Sequence, residues 1–222
     1  MLKKILHLLN SFLQKKVAID YTSVGLQRPR HLAVPLITNY IRISNFELIV
    51  HEIKEKKLTG AVAEVGVYKG EFAKYINQAF PDKKLYLFDT FEGFNKKDIE
   101  VENNKNFSEA TQDFSNTSIN EVLDKMSNKE NCIVKKGYFP ESLDGLDTEF
   151  CFVSLDTDLY KPILDGLHYF YPRLQQGGYI FVHDYNNDLY PGAKQAVHEF
   201  CAQQNIAYTP ITDSWGTVII AK

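Results

Sequence analysis

The first apolar residues, Leu2, Ile5, Leu6, Leu9, Phe12 and Leu13, recur at helical spacing, with Lys3, Lys4, His7 and Lys15 elsewhere on the wheel. That pattern predicts an amphipathic helix. From residue 61 the period changes. "AVAEVG" is a short apolar run ending at a glycine, which reads as a buried strand, and "EFAKYINQAF" behind it has helical spacing and stops at Pro81. "KLYLFD", "CIVKKG", "FCFVSLD" and "YIFVHD" read as the second to fifth strands. Helices are predicted for "SINEVLDKM", with Ser118 as N-cap and Glu121 completing a capping box, for "PILDGLHYFYPRL", with Pro162 in its first turn, and for "GAKQAVHEFCAQQ". "QQGG" reads as the turn into the fifth strand. "IAYTPIT" and "TVIIAK", either side of "DSWG", read as an antiparallel hairpin. Residues 92–117 are polar and nearly aperiodic, the mark of a lid or binding loop.

Strands alternating with helices imply a parallel sheet covered on both faces. Two strands in succession at the end break that alternation. The predicted fold is therefore α/β: a Rossmann-like seven-stranded sheet of the methyltransferase type, with helices on both faces and an N-terminal helical extension. At 222 residues the chain holds one sizeable core, and no repeat or low-complexity linker divides it. Residues 1–58 are assigned to the extension and 59–222 to the catalytic domain, with 92–117 as its lid and acceptor loop.

Composition removes several classes. A net charge of −3 lacks the basic footprint of a general nucleic-acid binder. Cys132, Cys151 and Cys201 are odd in number and far apart, which suits neither a disulfide framework nor a zinc site and fits a reducing, cytoplasmic compartment. No run approaches the ~18 apolar residues of a membrane span. The first helix is interrupted by Asn10 and Gln14 and lacks a small-residue cleavage site, so it does not read as a signal peptide. Docking onto the protein's own core, onto a second subunit of a homo-oligomer, or weakly onto an anionic membrane surface through residues 1–16 are its open roles.

Chemistry gathers at the predicted strand ends, where open α/β sheets bind ligands. "EVGVYKG" carries Glu64, Gly66, Tyr68 and Gly70 but is not the G-x-G-x-x-G fingerprint of pyrophosphate binding. Glu64 is suited to the ammonium of an amino-acid moiety. Asp89, closing the second strand, is suited to ribose hydroxyls, with Phe91 over an apolar ligand face; a turn cap is the alternative for Asp89. Asp156 and Asp158 at the mouth of the fourth strand, with Asp184 after the fifth, form a like-charged cluster that needs a proton or cation. A hard divalent ion on one carboxylate and a proton on its way to another would give the pair two roles, ligand and base.

The motifs "AEVGVYKG", "LFDTFEGF", "KKGYFPESL", "LDTDLY", "YPRLQQGGYIFVHDY" and "GAKQAVHEF", in this order across residues 60–203, resemble the macrocin O-methyltransferase family. The resemblance implies S-adenosylmethionine as cofactor and a sugar hydroxyl on a natural product or glycan as acceptor. It implies that Asp156 binds Mg²⁺, that Asp158 is the general base, and that the pair after the fifth strand completes the metal site. Here that pair is His183 and Asp184 where the family usually carries two aspartates: as a ligand the imidazole shifts preference from Mg²⁺ towards Mn²⁺, Zn²⁺ or Fe²⁺, and turned away into a hydrogen bond it leaves a weaker two-carboxylate site. The expected cofactor contacts are Glu64, Gly66, Tyr68, Gly70, Asp89, Phe91, Gly137, Tyr138, Phe139 and Asp156. "DTD" also resembles the D-x-D of nucleotide-sugar glycosyltransferases and of phosphatase-like hydrolases, though neither explains Glu64 and Asp89. A non-catalytic nucleoside-binding protein is the third alternative.

Overall fold

The computed structural model describes residues 40–222 and, ahead of them, positions 5, 8, 9, 12, 13 and 16. These six are helical, and Ile5, Leu8, Leu9 and Phe12 are exposed. Leu2, Leu6 and residues 17–39 of the predicted extension lie outside the described residues.

Seven strands form one sheet: β1 (Ala61–Val65), β2 (Leu85–Asp89), β3 (Cys132–Lys136), β4 (Phe150–Leu155), β5 (Leu174–Val182), β6 (Thr209–Ile211) and β7 (Thr217–Ala221). Their spatial order is β3-β2-β1-β4-β5-β7-β6. The first five pair in parallel, and β7 runs antiparallel to both β5 and β6. The order reverses between β1 and β4, so their carboxyl ends flank the crevice where such sheets bind ligands.

Alternation along the buried strands sends successive side chains to opposite faces. On β4, Phe152 faces one way and Val153 the other. One layer packs α5 (Tyr160–Arg173) and α6 (Pro191–Gln204) through Ile163, Leu167, Phe170, Val197 and Phe200. The other packs α1 (Tyr40–Glu55) and α2 (Ala73–Ala79) through Phe46, Val50, Ile53 and Ile76. Residues 40–58, assigned from the sequence to an extension, thus share a core with the sheet and belong to the compact unit that carries it.

Two local readings are corrected. "QQGG" is not a turn: β5 starts at Leu174 directly after α5, and a register irregularity against β4 absorbs the glycines. Residues 92–117 are not loop throughout, because they contain α3 (Lys96–Asn104), whose N-cap Asn95 accepts from the Lys97 amide at 3.0 Å. The helix α4 (Ile119–Asp124) follows, capped by Ser118 as its sequence predicts.

Gly66 fixes how close β1 comes to β4. Its φ is +82°, and a Cβ there would stand 2.1 Å from the Asp156 carbonyl oxygen. Gly66→Ala is expected to cost at least about 2 kcal/mol, the left-handed backbone and the clash acting together. An unchanged denaturant midpoint would contradict this.

Candidate active site

Each strand end delivers its residue through a hydrogen bond that continues the parallel ladder. The Gly66 amide donates to the Phe88 carbonyl, Gly137 to Asp89, Asp156 to Val65 and His183 to Leu155. The side chains so placed line one cavity of about 630 Å³. It runs from Asp98 and Tyr138 near the end of β3, past Asp89 and Glu64, to Asp156, Asp158, His183 and Asp184 at β4 and β5. Exposed Trp215 and Leu189 stand among its lining residues, with Phe94 and Phe114 from the segment after β2.

Asp89 serves the backbone first. Its Oδ2 accepts from the amides of Val67 and Tyr68 at 2.8 and 2.7 Å, and Oδ1 from Phe91 at 2.6 Å. A carboxylate offers roughly four lone-pair sites, so one direction remains for a ligand hydroxyl rather than two. Tyr68 is held in a left-handed conformation, and its hydroxyl donates to Asn116 at 2.6 Å. Gly70 shapes the same turn, with φ +74°, and is not among the lining residues. Phe91, expected over the ligand, is instead buried in the core layer that holds α1 and α2, has φ +54°, and is not among the lining residues. Gly137, Tyr138 and Phe139 do line the cavity.

Glu64 is almost completely buried, and its Oε2 has no hydrogen-bond partner. Burial pushes its carboxyl well above the usual range, and the charge of Asp156 adds to that. A cation delivered by a ligand would satisfy it. Thr157 Oγ1 is a second buried atom without a partner at the same place.

The acidic cluster holds its own counter-charges. His183 Nδ1 lies 2.8 Å from Asp184 Oδ2 and 3.0 Å from Asp156 Oδ1. The other oxygen of Asp156 accepts from Arg42 Nη1 at 2.9 Å, and that of Asp184 from Asn187 at 2.9 Å. Burial disfavours the Asp156 carboxylate, but His183 and Arg42 outweigh it and hold the group below the usual range. Burial likewise opposes the imidazolium, yet Asp156 overcomes it, and among these protein groups His183 is pushed up to about 10.

Asp158 pairs with the side chain of Asp184 rather than with Arg42 or His183. The Leu159 amide donates to the Thr157 carbonyl at 2.6 Å, closing a γ-turn on Asp158 with φ +60°, a strained form. Asp184 also has φ +60°. Burial, then the neighbouring Asp184 and Asp156, push the Asp158 carboxyl well above the usual range. A carboxylate so disposed is a willing proton acceptor once ionised.

Sequence reasoning missed Arg42. It is buried, its guanidinium lies 4.0 Å from the centre of the Phe72 ring, and Nη2 reaches Ser154 at 3.2 Å. The signal was available: Arg42, Phe46, Ile49 and Ile53 share one helical face, so a charge stood on an otherwise apolar stripe. Asp98 and Asn187 were also missed, since neither lies in a motif.

A family model described as Macrocin-O-methyltransferase (TylF) matches residues 4–219. The chain is 27% identical over 183 residues to the mycinamicin III 3''-O-methyltransferase of Micromonospora griseorubida, covering 75% of this chain and 70% of that protein. It is 24% identical over 214 residues, 90% of this chain and 74% of the other, to a Streptomyces olivaceus 4'-O-methyltransferase acting on a rhamnosyl-tetracenomycin. The solved O-methyltransferase NovP superposes with a TM-score of 0.66 at 23% identity, over 82% of this chain and 79% of NovP, which shows a shared fold.

Proposed function

Because the chain belongs to the macrocin-O-methyltransferase family, we propose that it transfers the methyl group of S-adenosylmethionine to a sugar hydroxyl of a glycosylated small molecule or glycan. One continuous cavity that joins the Asp89 turn to the acidic cluster carries this reading. The cofactor lies along it with its ammonium at Glu64, whose buried oxygen needs a donor, and its ribose at the remaining acceptor site of Asp89. The acceptor enters between Trp215, Leu189 and the segment after β2. Asp158 would take its hydroxyl proton, and the oxygen would bond to the methyl carbon as the S–CH₃ bond breaks, the electron pair staying on sulfur and S-adenosylhomocysteine leaving. Holding donor and acceptor in line supplies much of the acceleration.

A divalent ion suits three of these groups. Asp156 Oδ1, His183 Nδ1 and Asp184 Oδ2 gather within 4.8 Å, with edges of 2.8 and 3.0 Å. Neighbouring ligands of a six-coordinate Mg²⁺ at about 2.1 Å stand about 3 Å apart. A metal held there would lower the pKa of an acceptor hydroxyl and stabilise its anion. The same distances are hydrogen-bond distances, which favours a second reading in which protonated His183 replaces the ion.

Metal titration separates the two. With ligation, calorimetry gives Mn²⁺ binding tighter than Mg²⁺ in the wild type, and His183→Asp moves the preference towards Mg²⁺. If neither ion binds the wild type while S-adenosylhomocysteine does, the imidazolium reading stands. The activity itself is tested by mass spectrometry of rhamnosylated and other glycosylated acceptors incubated with the protein and labelled methyl donor. A gain of one methyl is expected; no calorimetric binding of S-adenosylhomocysteine would overturn the proposal.

A further inference from the structure

The cavity extends past Asp89 towards β3, away from the cluster where methyl transfer is proposed to occur. A nucleoside whose ribose sits at Asp89 and whose sulfur faces β4 must point its base in that direction. There the cavity meets a carboxylate that no motif supplies. Asp98, on α3, is only 6% exposed. Tyr138 donates to its Oδ1 at 2.9 Å, and among the described residues Oδ2 has no hydrogen-bond donor.

We propose that Asp98 reads the adenine of the cofactor by accepting a hydrogen bond from its exocyclic amine, with Tyr138 holding the carboxylate in place. This rests on the proposed cofactor. The chemistry is selective: an amino group at that position of the purine satisfies a buried carboxylate, whereas a carbonyl oxygen there faces it with like charge. Burial raises the Asp98 carboxyl to about 6, against the Tyr138 hydrogen bond and Lys161, which favour the charged form, while Asp165 and Glu102 add to the rise. A donor from the ligand would complete the site. The placement also explains why α3 exists within a polar segment. Its buried positions, Asp98 and Glu102, face the cavity and the start of α5, where Glu102 accepts from the Tyr160 amide at 2.7 Å. The helix therefore ties base recognition to the loop that carries Asp158.

The test is calorimetry at pH 8 of the wild type and Asp98→Asn with S-adenosylhomocysteine and with S-inosylhomocysteine, which carries oxygen in place of the amine. Wild type is expected to prefer the adenosyl ligand by about 30-fold. Asp98→Asn, whose amide can turn its NH₂ towards the oxygen while still accepting from Tyr138, should bring that ratio to within about threefold. Wild-type affinity for the adenosyl ligand should also fall between pH 7 and pH 5, as the carboxyl gains its proton, and the variant should not share that fall. Equal affinity of wild type for the two ligands, or an undiminished preference in Asp98→Asn, overturns the proposal and leaves the cofactor standing. Failure of S-adenosylhomocysteine to bind wild type at all rejects the cofactor and this proposal together.

Discussion

Asp158→Asn is expected to lower turnover by about 10²–10⁴-fold while S-adenosylhomocysteine binds with near wild-type affinity. The substitution keeps shape and volume and removes only the capacity to take a proton. Its backbone has φ +60°, a positive value that Asn and Asp adopt more readily than other non-glycine residues, so the exchange adds no backbone strain beyond what Asp158 already carries. Asp158 is also the one acid of the cluster that neither Arg42 nor His183 contacts. It is therefore free of the ion pairs that hold Asp156 in its charged form. Asp156→Asn should behave differently, because that carboxylate joins Arg42 to His183 and is a proposed ligand. Metal affinity falls first there, with activity partly recovered at high metal concentration. Single-turnover measurement of both variants over a range of Mn²⁺ and Mg²⁺ decides the matter. Turnover of Asp158→Asn within tenfold of wild type, or the same metal dependence in both variants, would remove the division of roles.

The centre of the sheet could be read directly because β1, β2 and β4 are buried almost throughout and bounded by glycine or acid. "FCFVSLD" is the clearest case: every residue of β4 is buried, and the first acid after it marks the cavity. What could not be read was structure made by polar burial. α3 has no apolar stripe, because Asp98 and Glu102 occupy the buried positions; Tyr160 and Ser108 donate to Glu102, and Tyr138 donates to one oxygen of Asp98. Hydrophobic periodicity is blind to a helix of that kind. Phe91 failed for a related reason. A large apolar residue beside a predicted site can serve ligand or core, and the sequence does not distinguish the two; here Phe91 joins the core with φ +54°. Asp89 shows the converse, since the cap and the ligand acceptor are both within the capacity of one carboxylate.

Arg42→Met is expected to cost about 3 kcal/mol of stability, and more than half of that should return when Asp156→Asn is added. The guanidinium makes three contacts: the ion pair to Asp156 and the hydrogen bond to Ser154, which methionine cannot make, and the stack on Phe72. Methionine keeps the packing on Phe72 but leaves a largely buried carboxylate, one-fifth exposed at its side chain, with His183 as its remaining cationic partner among the described residues. Removing one member of such a pair strands the other, whereas removing both leaves little uncompensated. The loss in the single variant is therefore the penalty of an unpaired charge rather than the worth of the pair. Arg42→Lys should lie between wild type and Arg42→Met, because one ammonium cannot reach Asp156 and Ser154 while lying flat on an aromatic ring. Denaturant midpoints of Arg42→Met, Asp156→Asn and the double variant form the cycle that measures this. If the two single costs simply add, Arg42 is a packing residue of α1; if they couple, an arginine from the first helix of the compact unit sets the charge of the catalytic strand end.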